Sequence, residues 1–304
     1  MAQAIGIDLG GTKVEAQVFD ENWLVVDKRR IATPGDYSGV VGAVADQIAW
    51  AIQNAGDSVP IGISAAGLVS PVTGKALTAN LPATGRPLPS DIAAAADRAV
   101  TYINDCRALT LSEAIFGVAK GLRSVAGLVI GTGVGGGFAL NGRLAEGPAR
   151  VGGEFGHLPG DAAIYARHDL PVLTCGCGRH GCVETYLAGP GMARLAAHVG
   201  LRTITPEEIA ARRSDAGLEY RAWNIWMELL VSLVRTISLT CGPDAIVIAG
   251  GISKIDGLAD DLATRASEDA WDGFPPPQFL IAEGGDASGA RGAAYAAWTG
   301  GAYD

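Results

Sequence analysis

Positive charge is scarce in this 304-residue chain, with 23 lysines and arginines against 32 aspartates and glutamates. The formal net charge is −9 and the isoelectric point near 5.0. Nucleic-acid affinity rests largely on basic side chains displacing counterions, so a phosphate-backbone binder is set aside. Low-complexity tracts and long like-charge runs are missing too, which excludes a disordered tail as the main business of the chain. The N-terminus "MAQAIGIDLGG" has no basic region followed by an apolar one, and no stretch reads as long and charge-free enough to span a bilayer, so a cytoplasmic protein with no membrane partner is expected. Nor does any Gly-Lys-Ser/Thr occur, which removes a Walker A phosphate loop. Cysteines number only five, and in a reducing compartment these are no disulfide framework.

What is present in excess is glycine, 43 residues that come in clusters. Such clusters mark places where backbone turns tightly or approaches a ligand. The length exceeds one usual compact domain, and 48% hydrophobic residues suffice for a large core, so two lobes are expected. The first segment, "AIGIDLGGTKVEAQVFDENWLVVDKRR", reads as strand, glycine turn, strand, turn and strand. The same pattern returns at "VAGLVIGTGVGGGFALNGRLAEG", with Asn141-Gly142 as the hairpin turn, so the chain looks internally duplicated. Between the copies lie a helical pattern over 40–54, the strand "PIGISAAG", a helix near 91–98, the strand "VTYIND" and a helix over 107–120. Later come helices near 183–199 and 218–241, the strands "DAIVIAGG" and "FLIAEGG", and a last helix near 290–298. Alternating strands and helices predict an α/β fold. The expected division is 1–118, joined by the C-terminal helix 289–304, and 119–288, with any hinge near 117–123.

The segment "GTGVGG" satisfies G-x-G-x-x-G, yet "GFALNGRL" continues it as a strand, whereas a dinucleotide fingerprint must open a helix. What remains is a pair of hairpin glycine turns whose bare N–H groups could grip a polyphosphate from two sides, or which merely make tight hairpins. Asp8 ends a buried strand, a poor place for a carboxylate unless a cation or water network lies beside it. "IVIAGGIS" repeats the theme as strand, Gly250-Gly251 and helix; alone it reads as a simple strand-to-helix turn, and beside the other two turns it suits walling an adenine ring. Asp105 ends "VTYIND" where α/β proteins display ligand groups, and is the candidate base for a hydroxyl proton, with Asn104 beside it to fix that hydroxyl. The same Asn-Asp pair could instead simply cap the following helix.

Three of the cysteines sit within eight residues, Cys175, Cys177 and Cys182, with glycines that let the backbone wrap one centre. A closed zinc site needs four ligands, and His157 in "GGEFGH" is the expected fourth, His180 being its rival. Four protein ligands leave no open position, so such a metal is structural, and it would hold Glu154 and Glu184 relative to one another for a polyhydroxylated substrate. Either glutamate could equally be a surface or helix N-terminal acid. Cys106 and Cys241 read as packing residues.

Taken in order, "IGIDLGGTK", "INDCRALTLSEA", "IGTGVGGGFALNGRL", "GGEFGHL", "CGCGRHGCVE", "IVIAGGIS" and "GDASGARGAA" resemble the ROK family of bacterial sugar kinases and repressors across nearly the whole chain. The resemblance implies a two-lobed, actin-like sugar-kinase fold, a duplicated ribonuclease H-like architecture with ATP and sugar in a cleft. It implies ATP-dependent phosphorylation of a hexose at its 6-hydroxyl with Asp105 as base. Gly67, Asn80, Asn104, Asp105, Glu154, His157 and Glu184 would bind sugar. Asp8, Gly10, Gly11, Thr12 and Lys13, with Gly131, Thr132, Gly133, Val134, Gly135, Gly250 and Gly251, would hold ATP and magnesium. Zinc would sit on His157, Cys175, Cys177 and Cys182, and a homodimer is expected. One departure is Ala66, where the family commonly has proline before the glycine equivalent to Gly67. Family repressors place a DNA-binding helix-turn-helix ahead of the core, for which a first strand beginning at Ala4 leaves no room. The run "ALTANLPATGRPLPSDI" and the long spacer before the cysteines look closest to N-acetylglucosamine kinases, ahead of fructokinases, N-acetylmannosamine kinases and glucokinases.

Overall fold

The computed structural model describes residues 2–202, 204–214, 216–285 and 288–300. These form two compact units, one of residues 1–121, 137–152 and 283–304, the other of 122–136 and 153–282.

In the first unit, β1 (Ala2–Leu9), β2 (Lys13–Asp20) and β3 (Val25–Ala32) make an antiparallel meander. Parallel strands β4 (Ile61–Ala65) and β7 (Thr101–Asn104) extend it to the order β3-β2-β1-β4-β7. Between them the chain forms a small hairpin of β5 (Leu68–Val69) and β6 (Ala76–Leu77). Helix α1 (Tyr37–Ala55) is started by Asp36, whose carboxylate accepts from Gly39 N, and it buries Val40, Val44, Ile48 and Ala51 in the core of this unit. Helices α2 (Leu88–Ala96) and α3 (Asp105–Ile115) follow, and the last helix of the chain, α10 (Ser288–Trp298), returns to this unit. A Cβ on Gly6 would meet the backbone of Ala290, and one on Gly62 that of Ala293. The helix backbone therefore lies directly against β1 and β4, and only glycine permits that approach. Covered in this way, the middle of β1 and the whole of β4 are buried on both faces rather than alternating.

The second sheet has the order β10-β9-β8-β11-β12, built from β8 (Ser124–Ile130), β9 (Val134–Leu140), β10 (Arg143–Leu144), β11 (Ala245–Ala249) and β12 (Gln278–Ile281). Strands β8, β11 and β12 run parallel, β9 and β10 antiparallel, so its connectivity repeats that of the first sheet. The chain changes unit within β9, between Gly136 and Gly137. Asn141 and Gly142, at φ 51° and 75°, make the expected hairpin turn.

The remaining helices belong to the second unit: α4 (Ala162–Arg167), α5 (Glu184–Leu187), α6 (Gly189–His198), α7 (Pro206–Ala211), α8 (Leu218–Cys241) and α9 (Leu258–Asp269). The single helix expected over 183–199 is in fact two, broken at Ala188, because Pro190 opens α6 and the residues ahead of a proline leave helical geometry. Likewise α3 begins at Asp105 and stops at Ile115, earlier at both ends than the pattern over 107–120 indicated. Among the described residues α8 is long and apolar enough by composition to cross a bilayer, which the sequence reading had not allowed. It is instead a core helix: Trp223 and Trp226 are buried and stacked 5.3 Å apart, and the Trp226 indole donates to Leu187 O at 3.0 Å. Of the motif "GDASGARGAA", Asp286 and Ala287 lie outside the described residues, as do 301–304 of the last helix expected.

Candidate active site

In the first unit the glycine turn after β1 is closed by Gly10 N donating to Lys13 O at 2.9 Å, and by the Thr33 hydroxyl donating to Gly10 O at 2.7 Å. A Cβ on Gly11 would meet Asn80 O at 2.9 Å, so the turn packs on Asn80, one of the residues expected to bind sugar. Asp8 is half-buried, with Ser64 Oγ donating to it at 3.4 Å. Burial pushes its carboxyl up to about 6, against the pull of Lys13 and with help from the charge of Asp105. A cation beside it would offset that penalty, which is the condition its position at the strand end set.

Asp105 is the first residue of α3, not the last of β7. Asn104 Oδ1 accepts from Cys106 N at 3.0 Å and Arg107 N at 3.3 Å, so the capping role is real. The amide of the same side chain donates to Gly67 O at 3.1 Å and to Asp105 Oδ1 at 3.0 Å. Cys106 N also donates to Asp105 Oδ1, at 2.9 Å. Capping and presentation of the carboxylate are thus one arrangement. Burial raises the Asp105 carboxyl above its ordinary value, while the bonds from Cys106 and Asn104 hold it down. Gly67, at φ 104°, sits where a Cβ would collide with Leu77 O, so glycine is required whatever precedes it at Ala66.

In the second unit Gly131 N donates to Gly133 O at 2.9 Å and Gly131 O accepts from Gly189 N at 2.8 Å. Gly250, at φ 88°, lies against the carbonyl of Ile130, which brings the third glycine turn beside the second. Glu184 Oε2 accepts from Val134 N at 2.7 Å. This bond ties the residue after the cysteines to the loop after β8, and a Cβ on Gly133 would approach the same oxygen at 2.9 Å. Sequence reasoning did not find it, because nothing local marks a partner fifty residues away.

The ligand atoms of His157, Cys175, Cys177 and Cys182 all lie within 4.8 Å of one another. Cys175 Sγ stands 3.7 Å from His157 Nδ1, and Cys177 Sγ 3.6 Å from Cys182 Sγ. Sulfur atoms around a tetrahedral zinc at 2.3 Å are separated by about 3.8 Å, so the donor set fits that ion. The Cys182 thiol is pushed up to about 12 by burial and by the two neighbouring thiols, since three thiolates cannot gather without a cation. Gly178 and Gly181, at φ 87° and 75°, make the turns of the knuckle, and Val183 N donates to Leu158 O at 2.9 Å to close it onto the "GGEFGH" turn. His180 is not in the cluster. It is exposed, with Nδ1 3.2 Å from the Thr174 hydroxyl. The other ring nitrogen of His157 faces Glu154 at 4.0 Å, and Glu184 Oε1 lies 3.6 Å from Cys175 Sγ, so both predicted glutamates border the cluster.

The profile described as ROK family matches residues 4–299. The chain belongs to the ROK family. This ROK chain is 39% identical to the N-acetylgalactosamine kinase of Shewanella sp. (strain ANA-3), covering 95% of the chain and 94% of that protein. It is 37% identical to the N-acetyl-D-glucosamine kinase of Shigella flexneri, covering 95% and 97%. Its fold matches the ROK hexokinase of Thermus thermophilus with a TM-score of 0.85 at 28% identity, each chain being 98% covered. It also matches a ROK family glucokinase of Streptomyces griseus in complex with glucose and AMPPNP, with a TM-score of 0.76 at 26% identity, covering 97% and 99%. The architecture is therefore the two-lobed actin-like sugar-kinase fold.

Proposed function

We propose that this ATP-dependent sugar kinase transfers the γ-phosphoryl group of ATP to the 6-hydroxyl of an N-acetylated hexosamine in the cytoplasm. The sugars named for the two relatives, N-acetylgalactosamine and N-acetyl-D-glucosamine, differ only in configuration at C4, and both support this class. N-acetyl-D-glucosamine is the favoured member, on the sequence run at 76–92 and the spacer ahead of the cysteines.

The observation that carries the mechanism is Asp105 at the head of α3, one oxygen engaged by Cys106 N and Asn104 and the pair tied to Gly67 O. Its other oxygen takes the proton of the sugar 6-hydroxyl as the hydroxyl oxygen bonds to the γ-phosphorus, and the bond from that phosphorus to the β–γ bridging oxygen breaks, releasing ADP. Phosphoryl transfer asks chiefly for positioning and charge neutralisation, with a carboxylate to accept the proton. Asn80 and Asn104 of the first unit and Glu154, His157 and Glu184 of the second would orient sugar hydroxyls. The glycine turns of 10–13 and 131–135 would line the phosphates, with Gly250-Gly251 against the adenine. Asp8 would face the magnesium that accompanies ATP and neutralises phosphate charge. Zinc on His157 and the three cysteines would be structural, fixing the second unit's sugar-facing residues.

ADP release across N-acetyl-D-glucosamine, N-acetylgalactosamine, N-acetylmannosamine, glucose, fructose and mannose tests the proposal. Highest kcat/KM on the first two supports it, and preference for an unacetylated hexose would overturn it.

A further inference from the structure

The chain passes between its two units at four points, after residues 121, 136, 152 and 282. On the first-unit side, each of these passages is held by the same helix, α3. Glu113 Oε2 accepts from Val118 N at 3.2 Å, just ahead of the passage at 121. Its other oxygen accepts from Gly284 N at 2.9 Å and from the Ser288 hydroxyl at 3.0 Å, just past the passage at 282. Arg107 Nε donates to Gly152 O at 3.0 Å, at the third passage. At the second, Gly137 is pressed on the helix so closely that a Cβ would reach Thr110 Oγ1 at 2.8 Å and Arg107 Cα at 3.1 Å.

Arg107, Thr110 and Glu113 are spaced by three residues and so share one helix face. Their exposures are 3%, 0% and 0%. The burial of two charged groups is compensated locally. Arg107 pairs with buried Glu146 at 3.2 Å, and the Arg291 guanidinium, which donates to Ser112 Oγ and covers the Phe116 ring, shares the surroundings of Glu113. Gly117 and Gly284 each lack the Cβ that would collide with the Glu113 carboxylate. Beyond the anchor at Val118, Gly121 takes a φ of 90° with no neighbour crowding it.

We propose that Arg107 and Glu113 are positioning residues for the transfer: they bind three of the four passages out of the first unit to the helix that begins at Asp105, the fourth being packed on it at Gly137, so that passages and base move as one body. Bending at the first passage is then left to the uncrowded Gly121, outside the anchor at Val118. This rests on Asp105 being the base. A carboxylate suits the task because it only accepts, and here it faces N–H and O–H donors alone. In Glu113→Gln an NH₂ group must confront one of them, freeing a passage without a change of shape.

The test compares Glu113→Gln with Val44→Ala, a core variant of α1 chosen for a similar loss of melting temperature. Hydrogen exchange and steady-state kinetics are measured on the full chain. In Glu113→Gln, exchange over 116–122 and 283–285 rises about tenfold and kcat falls about tenfold with the sugar KM within threefold. Val44→Ala shows neither change. Should the glutamine variant not fold, Ser288→Ala removes one donor and moves both readouts in the same direction by about threefold. A kcat loss no greater than that of Val44→Ala, or unchanged exchange at both passages, overturns the proposal. Asp105→Asn separates the two readings: it abolishes turnover if Asp105 is the base, and leaves exchange at the passages as it was.

Discussion

Two carboxylates of the first unit, Asp8 and Asp105, are both raised by burial, and they differ in what offsets it. Asp105 accepts from a backbone N–H and an amide at Oδ1, which leaves its other oxygen for the proposed proton transfer. Asp105→Asn keeps those bonds but cannot take the proton, so turnover should fall at least about a thousandfold while sugar affinity by calorimetry stays within threefold. Asp8 has only a long bond from Ser64. Its carboxyl moves from 3.8 to about 6 on folding, so the folded state holds the proton more tightly. Stability therefore falls as pH rises through that window, and below it the group contributes nothing. Asp8→Asn should raise thermal stability at pH 7.5, without metal or nucleotide, by on the order of 2 kcal/mol, and the gain should vanish near pH 4. A constant difference at both pH values would refute this. At this scale the sequence marked both residues, because a carboxylate at the end of an apolar strand stands out. It gave no sign of Glu113 or of the Glu184–Val134 bond, whose partners are distant in the chain.

Among elements, those with a strong local signature were legible. The glycine hairpins, the strand "DAIVIAGG" and α8, whose apolar residues recur at helical spacing over its whole length, all stand where the pattern put them. Helices α4 and α7 were missed, being six residues each and too short for a periodic signal. The helix expected directly after Gly251 starts as a 3-10 turn over Gly251–Lys254, and α9, whose charged sequence buries only Leu258, Leu262 and Ala266, begins at Leu258. The cysteine knuckle was legible because its spacing is local and its turns need glycine. Its donor geometry predicts one zinc per chain by elemental analysis of protein purified without added metal. Removing the ion with a chelator should speed exchange over 157–184 while the sheet of 2–65 keeps its protection, and equal loss in both would argue against a structural role confined to the knuckle. Cys182→Ser should show the same local loss.

For the molecule as a whole, the repeated strand-turn-strand pattern announced the duplicated sheets, and the matching strand orders follow from it. The close approach of α10 to β1 and β4 was not announced, since a glycine in a strand does not say what lies over it. Filling that approach should be costly: Gly62→Ala places a methyl on the Ala293 backbone and is expected to lower stability by about 1–3 kcal/mol in urea titration, with no direct effect on the sugar-facing residues. A neutral result would mean that the helix sits further from the sheet.

The same docking of α10 bears on how the protein is made. Residues 122–282 hold the long helix α8 and a mixed sheet of their own, and they leave the ribosome before α10 does. Strands β1 and β4 emerge early but keep one apolar face bare until residues 288–298 arrive to cover it. The sheet of the first unit, though its strands precede the whole of the second unit in the chain, is thus completed only when α10 has emerged.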